Sequence, residues 1–244
     1  MDQVIIIPAR MGGTRLPGKP LISINGKPII KHVWERCAHV FDETKVYVGT
    51  EDIEIADYCT KNKMRCVLTE KAETAIDRIK LVSDIIPAEG YINVQGDEPI
   101  INTQDILSIL AYNRKFPNRV VFGKVKAEES EFNDYSKAKV VCGKDNRLLY
   151  SSRSGIPINN KGKFVGAERA IWIYGFYKEA LDSYHFSNEN TYLDRIEDNE
   201  IIRFLEIDIP VYCIDLIGDS WAVDEYKDIE IVENRLKNNK FRNV

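Results

Sequence analysis

Near its start the chain runs Val4-Ile5-Ile6-Ile7 straight into Pro8. Four β-branched residues without polar alternation read as a strand buried on both faces, since a half-exposed strand would alternate apolar and polar positions. Such a strand needs helices on either side of its sheet. Further strands are expected at Val46 to Val48, Arg65 to Leu68 and Tyr91 to Val94. Helices are expected between and after them, near Pro28 to His39, Asp52 to Lys61, Thr74 to Asp84 and Thr103 to Asn113. Pro28 suits a first helical turn, where a missing N–H costs nothing, and Thr103 and Asp105 suit a helix start. Strands alternating with helices require crossovers, hence an α/β fold with a mostly parallel central sheet and helices on both faces. Ligands bind such sheets beyond the carboxyl ends of the strands.

The second half has another texture. Strands are expected at Arg119 to Val125, Ala138 to Cys142, Arg147 to Ser151, Ala170 to Phe176 and Val211 to Leu216. Helices are expected near Lys178 to Tyr184, Asp198 to Leu205 and Asp224 to Lys237, with turns at Asp145-Asn146 and Asn159-Asn160. No Gly/Ser/Pro linker, internal repeat or low-complexity tract divides the chain. One domain over 1–244, with a smaller antiparallel elaboration in its second half, is the economical organisation.

Charge excludes some functions. The 244 residues carry 34 Lys+Arg against 38 Asp+Glu, a formal net charge of -4. A general nucleic-acid or membrane-surface binder needs a basic excess, whereas a local polyphosphate pocket does not. The five cysteines are odd in number and form no C-x-x-C pair, which fits buried free thiols in a reducing compartment rather than a disulfide or zinc framework. The three histidines form no H-E-x-x-H, so a zinc hydrolase is not supported. The start Met1-Asp2-Gln3 and its short apolar run suit neither a secretory signal nor a spanning helix. A cytoplasmic protein without membrane insertion is expected.

The densest chemistry lies directly after the first strand, in Pro8-Ala9-Arg10-Met11-Gly12-Gly13-Thr14-Arg15-Leu16-Pro17-Gly18-Lys19-Pro20. Glycines let a backbone approach phosphate and turn its N–H groups toward it. Arg10, Arg15 and Lys19 add the charge-assisted donors that phosphate oxygens accept. Gly13 to Lys19 fits the start of a P-loop, but Pro20 stands where the magnesium-binding Ser/Thr belongs. A dinucleotide G-x-G-x-x-G is absent.

With Leu21 added, this segment resembles the signature loop of the 3-deoxy-manno-octulosonate (Kdo) cytidylyltransferases, or CMP-Kdo synthetases. Related sugar-1-phosphate nucleotidyltransferases lead with Ala-Gly-Gly rather than Pro-Ala-Arg. A second anchor, Asn93-Val94-Gln95-Gly96-Asp97-Glu98-Pro99, follows a strand, where a carboxylate is well placed to hold a hard cation. It is similar to the family's Q-G-D-E-P. Ala222-Val223-Asp224 resembles its G-V-D-T-P-E-D, although Asp224 before a helix equally suits an N-cap. Leu149-Tyr150-Ser151-Ser152-Arg153 resembles L-Y-F-S-R, Ile173-Tyr174-Gly175-Phe176 resembles I-Y-G-Y, and Glu200-Ile201-Ile202-Arg203 resembles E-Q-L-R.

The resemblance runs essentially end to end and implies a nucleotide-diphospho-sugar transferase-like fold and transfer of CMP from CTP, with release of pyrophosphate. It implies a nucleotide-binding half at 1–117, an acceptor-binding and dimerising elaboration at 118–220, and a C-terminal helix at 221–244 returning to the metal site. Pro8, Ala9, Arg10, Gly12, Gly13, Thr14, Arg15, Lys19, Arg78 and Gln95 would bind the nucleotide. Arg10, Arg15, Lys19 and Asp97 would be catalytic, and Asp97 with Asp224 would hold magnesium. Gln95, Arg153, Tyr174 and Glu200 would face an acidic sugar, and a homodimer is implied.

The sequence also departs from the pattern. The family's H-x-S-G-T-D-R appears as Ala72-Glu73-Thr74-Ala75-Ile76-Asp77-Arg78, a common Ser is Gly13, and H-L-G becomes Ala170-Ile171-Trp172. Lost polar partners for a polyol reduce affinity for it or mark a different acceptor. Two alternatives stay open: another acidic sugar or a phosphorylated acceptor giving a CDP product, and a nucleotide-binding module without catalysis.

Overall fold

The computed structural model describes residues 2–13, 15–187 and 191–237. Thr14 and residues 238–244 of the expected C-terminal segment lie outside them. The strands are β1 (Gln3–Pro8), β2 (Ser23–Ile24), β3 (Lys27–Pro28), β4 (Val46–Thr50), β5 (Arg65–Leu68), β6 (Gly90–Val94), β7 (Val120–Ala127), β8 (Lys139–Cys142), β9 (Leu148–Ser152), β10 (Ala167–Phe176) and β11 (Val211–Asp215). The helices are α1 (Ile29–Val40), α2 (Ile53–Lys61), α3 (Ala75–Ile85), α4 (Thr103–Lys115), α5 (Glu129–Phe132), α6 (Lys178–Phe186), α7 (Leu193–Ile196), α8 (Ile202–Glu206) and α9 (Tyr226–Lys237).

One sheet of nine strands runs β11-β7-β10-β6-β1-β4-β5, and β8 and β9 extend it from β10. β1 pairs in parallel with β4 and β6, β4 with β5, and β7 with β11. β10 runs antiparallel to both β6 and β7, and the β8–β9 hairpin is antiparallel too. The expected α/β architecture is therefore present, with its antiparallel part in the second half. Along β1, Val4 and Ile6 enter the apolar cluster that contains α3 and α6 residues, while Ile5 and Ile7 enter the one built with α1 and α4. Each such buried side chain contributes about 1.5–3 kcal/mol. Both faces of the strand are thus used, as its unbroken apolar run requires.

Three local readings need correction. Pro28 closes β3 and caps α1 (φ −58°, ψ 148°) instead of entering the first turn. Before it, Asn25 and Gly26 both have positive φ (50° and 81°), forming the two-residue hairpin turn between β2 and β3 that Asn-Gly favours. The helix expected at Asp198 to Leu205 is present only as the shorter α8, because Asp198, whose φ of 46° is left-handed, lies in the turn that follows α7. The last helix begins at Tyr226, not Asp224. The Asp228 carboxylate accepts the N–H groups of Asp224 (2.9 Å) and Glu225 (2.8 Å), so Asp228 does the capping and the Asp224 carboxylate is left for other work.

All five cysteines are free thiols, with Cys37, Cys59 and Cys213 buried. Among the described residues no helix is long and apolar enough to cross a membrane.

Candidate active site

The loop after β1 is held from within. Ala9 continues the parallel pairing by donating to the Gly49 carbonyl (2.9 Å), and the Met11 N–H donates to Asp52 Oδ2 (2.7 Å). The N–H groups of Gly13 and Gly18 both reach the Met11 carbonyl (2.9 Å each), closing a tight curl in which Gly18 takes φ 70°. Leu16 is buried in a small apolar cluster with Ile24, Ile29, Ile100, Val223 and Val232, which fastens the loop beneath α9. Pro8, Ala9, Arg10, Gly13, Arg15 and Lys19 then line a cleft of about 1300 Å³ at the carboxyl end of the sheet. Gly12 is not part of that wall.

The loop after β6 reaches the same cleft through a close approach. A Cβ at Gly96 would lie 2.5 Å from the Pro8 carbonyl oxygen, so only glycine lets the two loops touch. Asp97 follows, and its carbonyl accepts the Val223 N–H (2.9 Å), which brings in the segment carrying Asp224. The Lys19 ammonium sits between the two carboxylates, 2.6 Å from Asp97 Oδ2 and 3.4 Å from Asp224 Oδ1. Arg15 Nη2 lies 3.3 Å from the same Asp224 oxygen. Burial acts to lower the Lys19 pKa, but the charges and hydrogen bonds of Asp97 and Asp224 outweigh it and hold the ammonium above the ordinary lysine value.

Two carboxylates from separate loops thus converge on one cationic group. Among the described residues no set of three or more Asp, Glu, His or Cys is arranged to hold a metal. Magnesium does not need one, because it usually binds one or two carboxylates and takes its remaining ligands from water and substrate phosphates. The Lys19 ammonium already occupies the kind of position such a cation would take. Asp97 and Asp224 therefore fit a divalent ion that arrives with a polyphosphate.

Other arginines of the cleft are engaged in structure. Arg78 is buried and donates to the Glu51 carboxylate, to Thr69 Oγ1 and to the Glu70 carbonyl (2.6 Å). Asp77 and Thr74 form the capping box of α3. The Asp-Arg pair kept from the altered 72–78 segment therefore builds the wall. Arg153 faces the cleft, yet its guanidinium donates to the carbonyls of Tyr135 (3.1 Å), Glu197 (3.1 Å) and Asp198 (2.7 Å), joining two loops. Gln95 and Glu200 also line the cleft.

Tyr174 does not. Its ring is fully buried, stacked on Phe122 (5.0 Å between centroids) and Phe176 (5.5 Å), and lies behind the wall. Its hydroxyl donates to Glu200 Oε1 (3.2 Å), and the Ile76 N–H donates to Glu200 Oε2 (3.2 Å). Burial pushes the Glu200 carboxyl up to about 7 despite these donors. Tyr174 thus holds Glu200 and does not itself reach the cleft.

Several cleft residues escape the sequence reading. Glu98, buried and raised to about 7 chiefly by desolvation, accepts the Ser220 hydroxyl. Arg203 is buried against Asp194 (2.6 Å and 2.9 Å) and stacks on Tyr184 (4.1 Å). Trp172, Ala72, Ala75 and Ala170, which the sequence already marks as departures from the family pattern, line the cleft as well. Glu98 shares a motif with Asp97 and Arg203 shares one with Glu200, and those neighbours are the signals that point to them.

Comparison with known proteins agrees with this geometry. A cytidylyltransferase family model matches residues 4–211. The 8-amino-3,8-dideoxy-manno-octulosonate cytidylyltransferase of Shewanella loihica is 32% identical, covering 97% of this chain and 99% of that protein. The 3-deoxy-manno-octulosonate cytidylyltransferase of Escherichia coli is 32% identical over 91% of this chain and 90% of its own. A solved CMP:2-keto-3-deoxy-manno-octonic acid synthetase complexed with CTP superposes with a TM-score of 0.91 at 30% identity, covering 97% of this chain and 99% of that one. HddC from Yersinia pseudotuberculosis, at a TM-score of 0.69 and 13% identity, shares the fold. A cleft that sets a cationic glycine loop against two carboxylates, and that lies in this fold, marks the chain as a CTP-using nucleotidyltransferase: it belongs to the cytidylyltransferase family, alongside the 3-deoxy-manno-octulosonate enzymes.

Proposed function

We propose that the protein transfers CMP from CTP to the anomeric 2-hydroxyl of a 3-deoxy-2-ulosonic acid such as Kdo, making an activated sugar for surface polysaccharide or lipopolysaccharide. The observation that carries this reading is the Lys19 ammonium shared by Asp97 and Asp224 at the foot of the glycine loop. The acceptor oxygen attacks the α-phosphorus of CTP, one P–O bond forms, the bond to the β-phosphate oxygen breaks, and pyrophosphate leaves. Arg10, Arg15 and Lys19 hold the triphosphate and neutralise charge that grows on the leaving group. The backbone of Pro8, Ala9 and Gly13 supports the nucleotide, with Arg78 and Gln95 bordering it. Asp97 and Asp224 are the groups that would hold magnesium, which when bound screens the phosphates and makes the attacking hydroxyl more acidic. No covalent intermediate on the protein is needed, since orientation and charge neutralisation supply the rate enhancement.

At the acceptor end, Glu200 presents a hydrogen-bonding carboxyl, while Arg153 and Tyr174 fix the loops and the wall around it. The apolar stretch formed by Ala72, Ala75, Ala170 and Trp172 favours a second reading, an acidic sugar less hydroxylated than Kdo on the side that meets Trp172. Pyrophosphate release is the test, measured with CTP, UTP, ATP and GTP against Kdo, its 8-amino analogue, other ulosonates and sugar phosphates. Release with CTP and Kdo supports the main reading. Release with CTP and another ulosonate alone selects the second, release with sugar phosphates alone points to a CDP product, and CTP binding without release for any acceptor points to a binding module.

A homodimer formed through 118–220 and a cytoplasmic site of action belong to the same proposal. In support of the dimer, that segment exposes Tyr135, Leu149, Ile158, Val165, Tyr192 and Ile196. Light scattering reads the assembly directly.

A further inference from the structure

Asp97 and Asp224 reach the cleft on supports of different kinds. Asp97 follows β6, a buried strand paired on both sides. Asp224 lies on a strap, residues 217–225, which belongs to neither a helix nor a strand. Outside any strand ladder, that strap is held by separate contacts: Asn102 Nδ2 and Arg235 Nη1 donate to the Asp219 carboxylate and carbonyl (3.0 Å and 3.3 Å), Arg169 Nη2 to the Gly218 carbonyl (3.3 Å) and Trp221 Nε1 to Asp228 (3.3 Å). The N–H groups of Ile217 (2.8 Å) and Gly218 (3.0 Å) donate to the buried Asp105 carboxylate. Next, the Ser220 hydroxyl donates to Glu98, itself only 5% exposed. The Val223 N–H then donates to the Asp97 carbonyl, one residue before Asp224. Glu98 is covalently bonded to Asp97 and tied to the strap four residues before Asp224. It therefore bridges the two loops that carry the paired carboxylates.

We propose that Glu98 is a positioning residue for the cation site: through Ser220 it fixes the strap and so sets the spacing between Asp224 and Asp97. This rests on the reading that those two carboxylates hold a divalent cation together with CTP. Glu98 need not touch the cation. A buried carboxylate that accepts a hydrogen bond from a hydroxyl keeps its direction only while that partner stays, and this contact ties the strap to the residue beside Asp97. Outer partners of this kind typically change metal affinity by about 10–100-fold when removed.

The test uses the full chain, Mn2+ as the probe followed by its electron paramagnetic resonance signal in the presence of CTP, and hydrogen exchange at the Val223 amide. Ser220→Ala and Glu98→Ala should each weaken Mn2+ binding about tenfold or more and speed exchange at Val223. CTP binding measured in EDTA should stay within about twofold of the parent, because the glycine loop is untouched by the tether. Glu98→Gln still presents an oxygen to Ser220 and should restore Mn2+ binding to within about threefold of the parent, which a general loss of packing would not do. Ser220→Ala removes the tether from the half-buried side, so the result stands even if Glu98→Ala folds poorly. Mn2+ binding by Ser220→Ala within about twofold of the parent overturns the positioning role. Asp97→Asn serves as the control: if it binds Mn2+ like the parent, the cation site fails and the tether's role with it; if it alone loses Mn2+, only the tether's role is overturned.

Discussion

The two ends of the cleft use the same kinds of side chain in opposite ways. At the phosphate end, Lys19 and Arg15 are paired with carboxylates that themselves suit a divalent cation, and Arg10 stands exposed at the rim. Those pairs can be exchanged for a triphosphate and its metal at small cost, since each partner gains a replacement of the right charge. Farther along the cleft, Arg203 is locked to buried Asp194 and Arg153 to loop carbonyls. Those cations hold the wall up. A positive charge near a cleft is therefore a ligand group only where its present partners can be replaced.

That contrast breaks most visibly at Arg203. Arg203→Ala leaves the Asp194 carboxylate buried without its cation, which should cost about 3–5 kcal/mol. For a chain of this length that lowers Tm on the order of 10 °C, as scanning calorimetry will read. If the fold is unmoved and the acceptor KM alone rises, Arg203 belongs with the ligand groups and the division of the cleft is wrong. At the phosphate end the expected result is the reverse. Asp97→Asn should leave Tm nearly unchanged while pyrophosphate release falls on the order of 10²–10³-fold or more, the scale of losing one preorganised charge contact to a transition state. Near-normal release would remove Asp97 from the metal assignment.

What the sequence made legible follows the same line. The glycine-loop end of the cleft was readable as a location because its groups lie in two short loops of unusual composition, each directly after a buried strand. Arg10, Arg15, Lys19 and Asp97 needed no partner from elsewhere to be noticed. Tyr174 misled because a motif match carries residue identity but not facing. Which side of β10 looks into the cleft depends on a register shift between Ile171 and Tyr174. The Asp228 cap and the Glu98 tether were hidden for a different reason: each is a contact between segments whose proximity only the folded chain creates. The hairpin at Asn25-Gly26 was in plain view, and its short strands made it easy to pass over.

Lys19 sharpens the phosphate end further. Removal of one charge-assisted donor to a phosphate typically costs about 1.5–3 kcal/mol, or roughly 10–100-fold. Lys19→Ala should therefore raise the CTP KM by that factor. Because the same ammonium now stands where a cation is expected, its removal should also leave metal binding in the absence of nucleotide unchanged or tighter. A variant with unaltered CTP kinetics would make Lys19 a structural counter-ion only, and the two ends of the cleft would no longer differ.

Glu200 offers the smallest effect and the finest division, because it lies at the acceptor end yet faces the cleft. Its pKa is raised from 4.5 to about 7, first by burial. Between those values the folded chain holds a proton that the unfolded chain has released, so stability falls as pH rises through that window. The contribution is whole below about pH 4.5 and lost once the folded carboxyl ionises near 7. Glu200→Gln cannot ionise and removes this slope. Relative to the parent, the variant should gain about 1–3 kcal/mol between pH 5 and pH 8 in urea melts, whatever its stability at either end. Parallel curves would mean that Glu200 is solvated like an ordinary surface acid, and a solvated acid cannot be the fixed hydrogen-bonding group that the acceptor end requires.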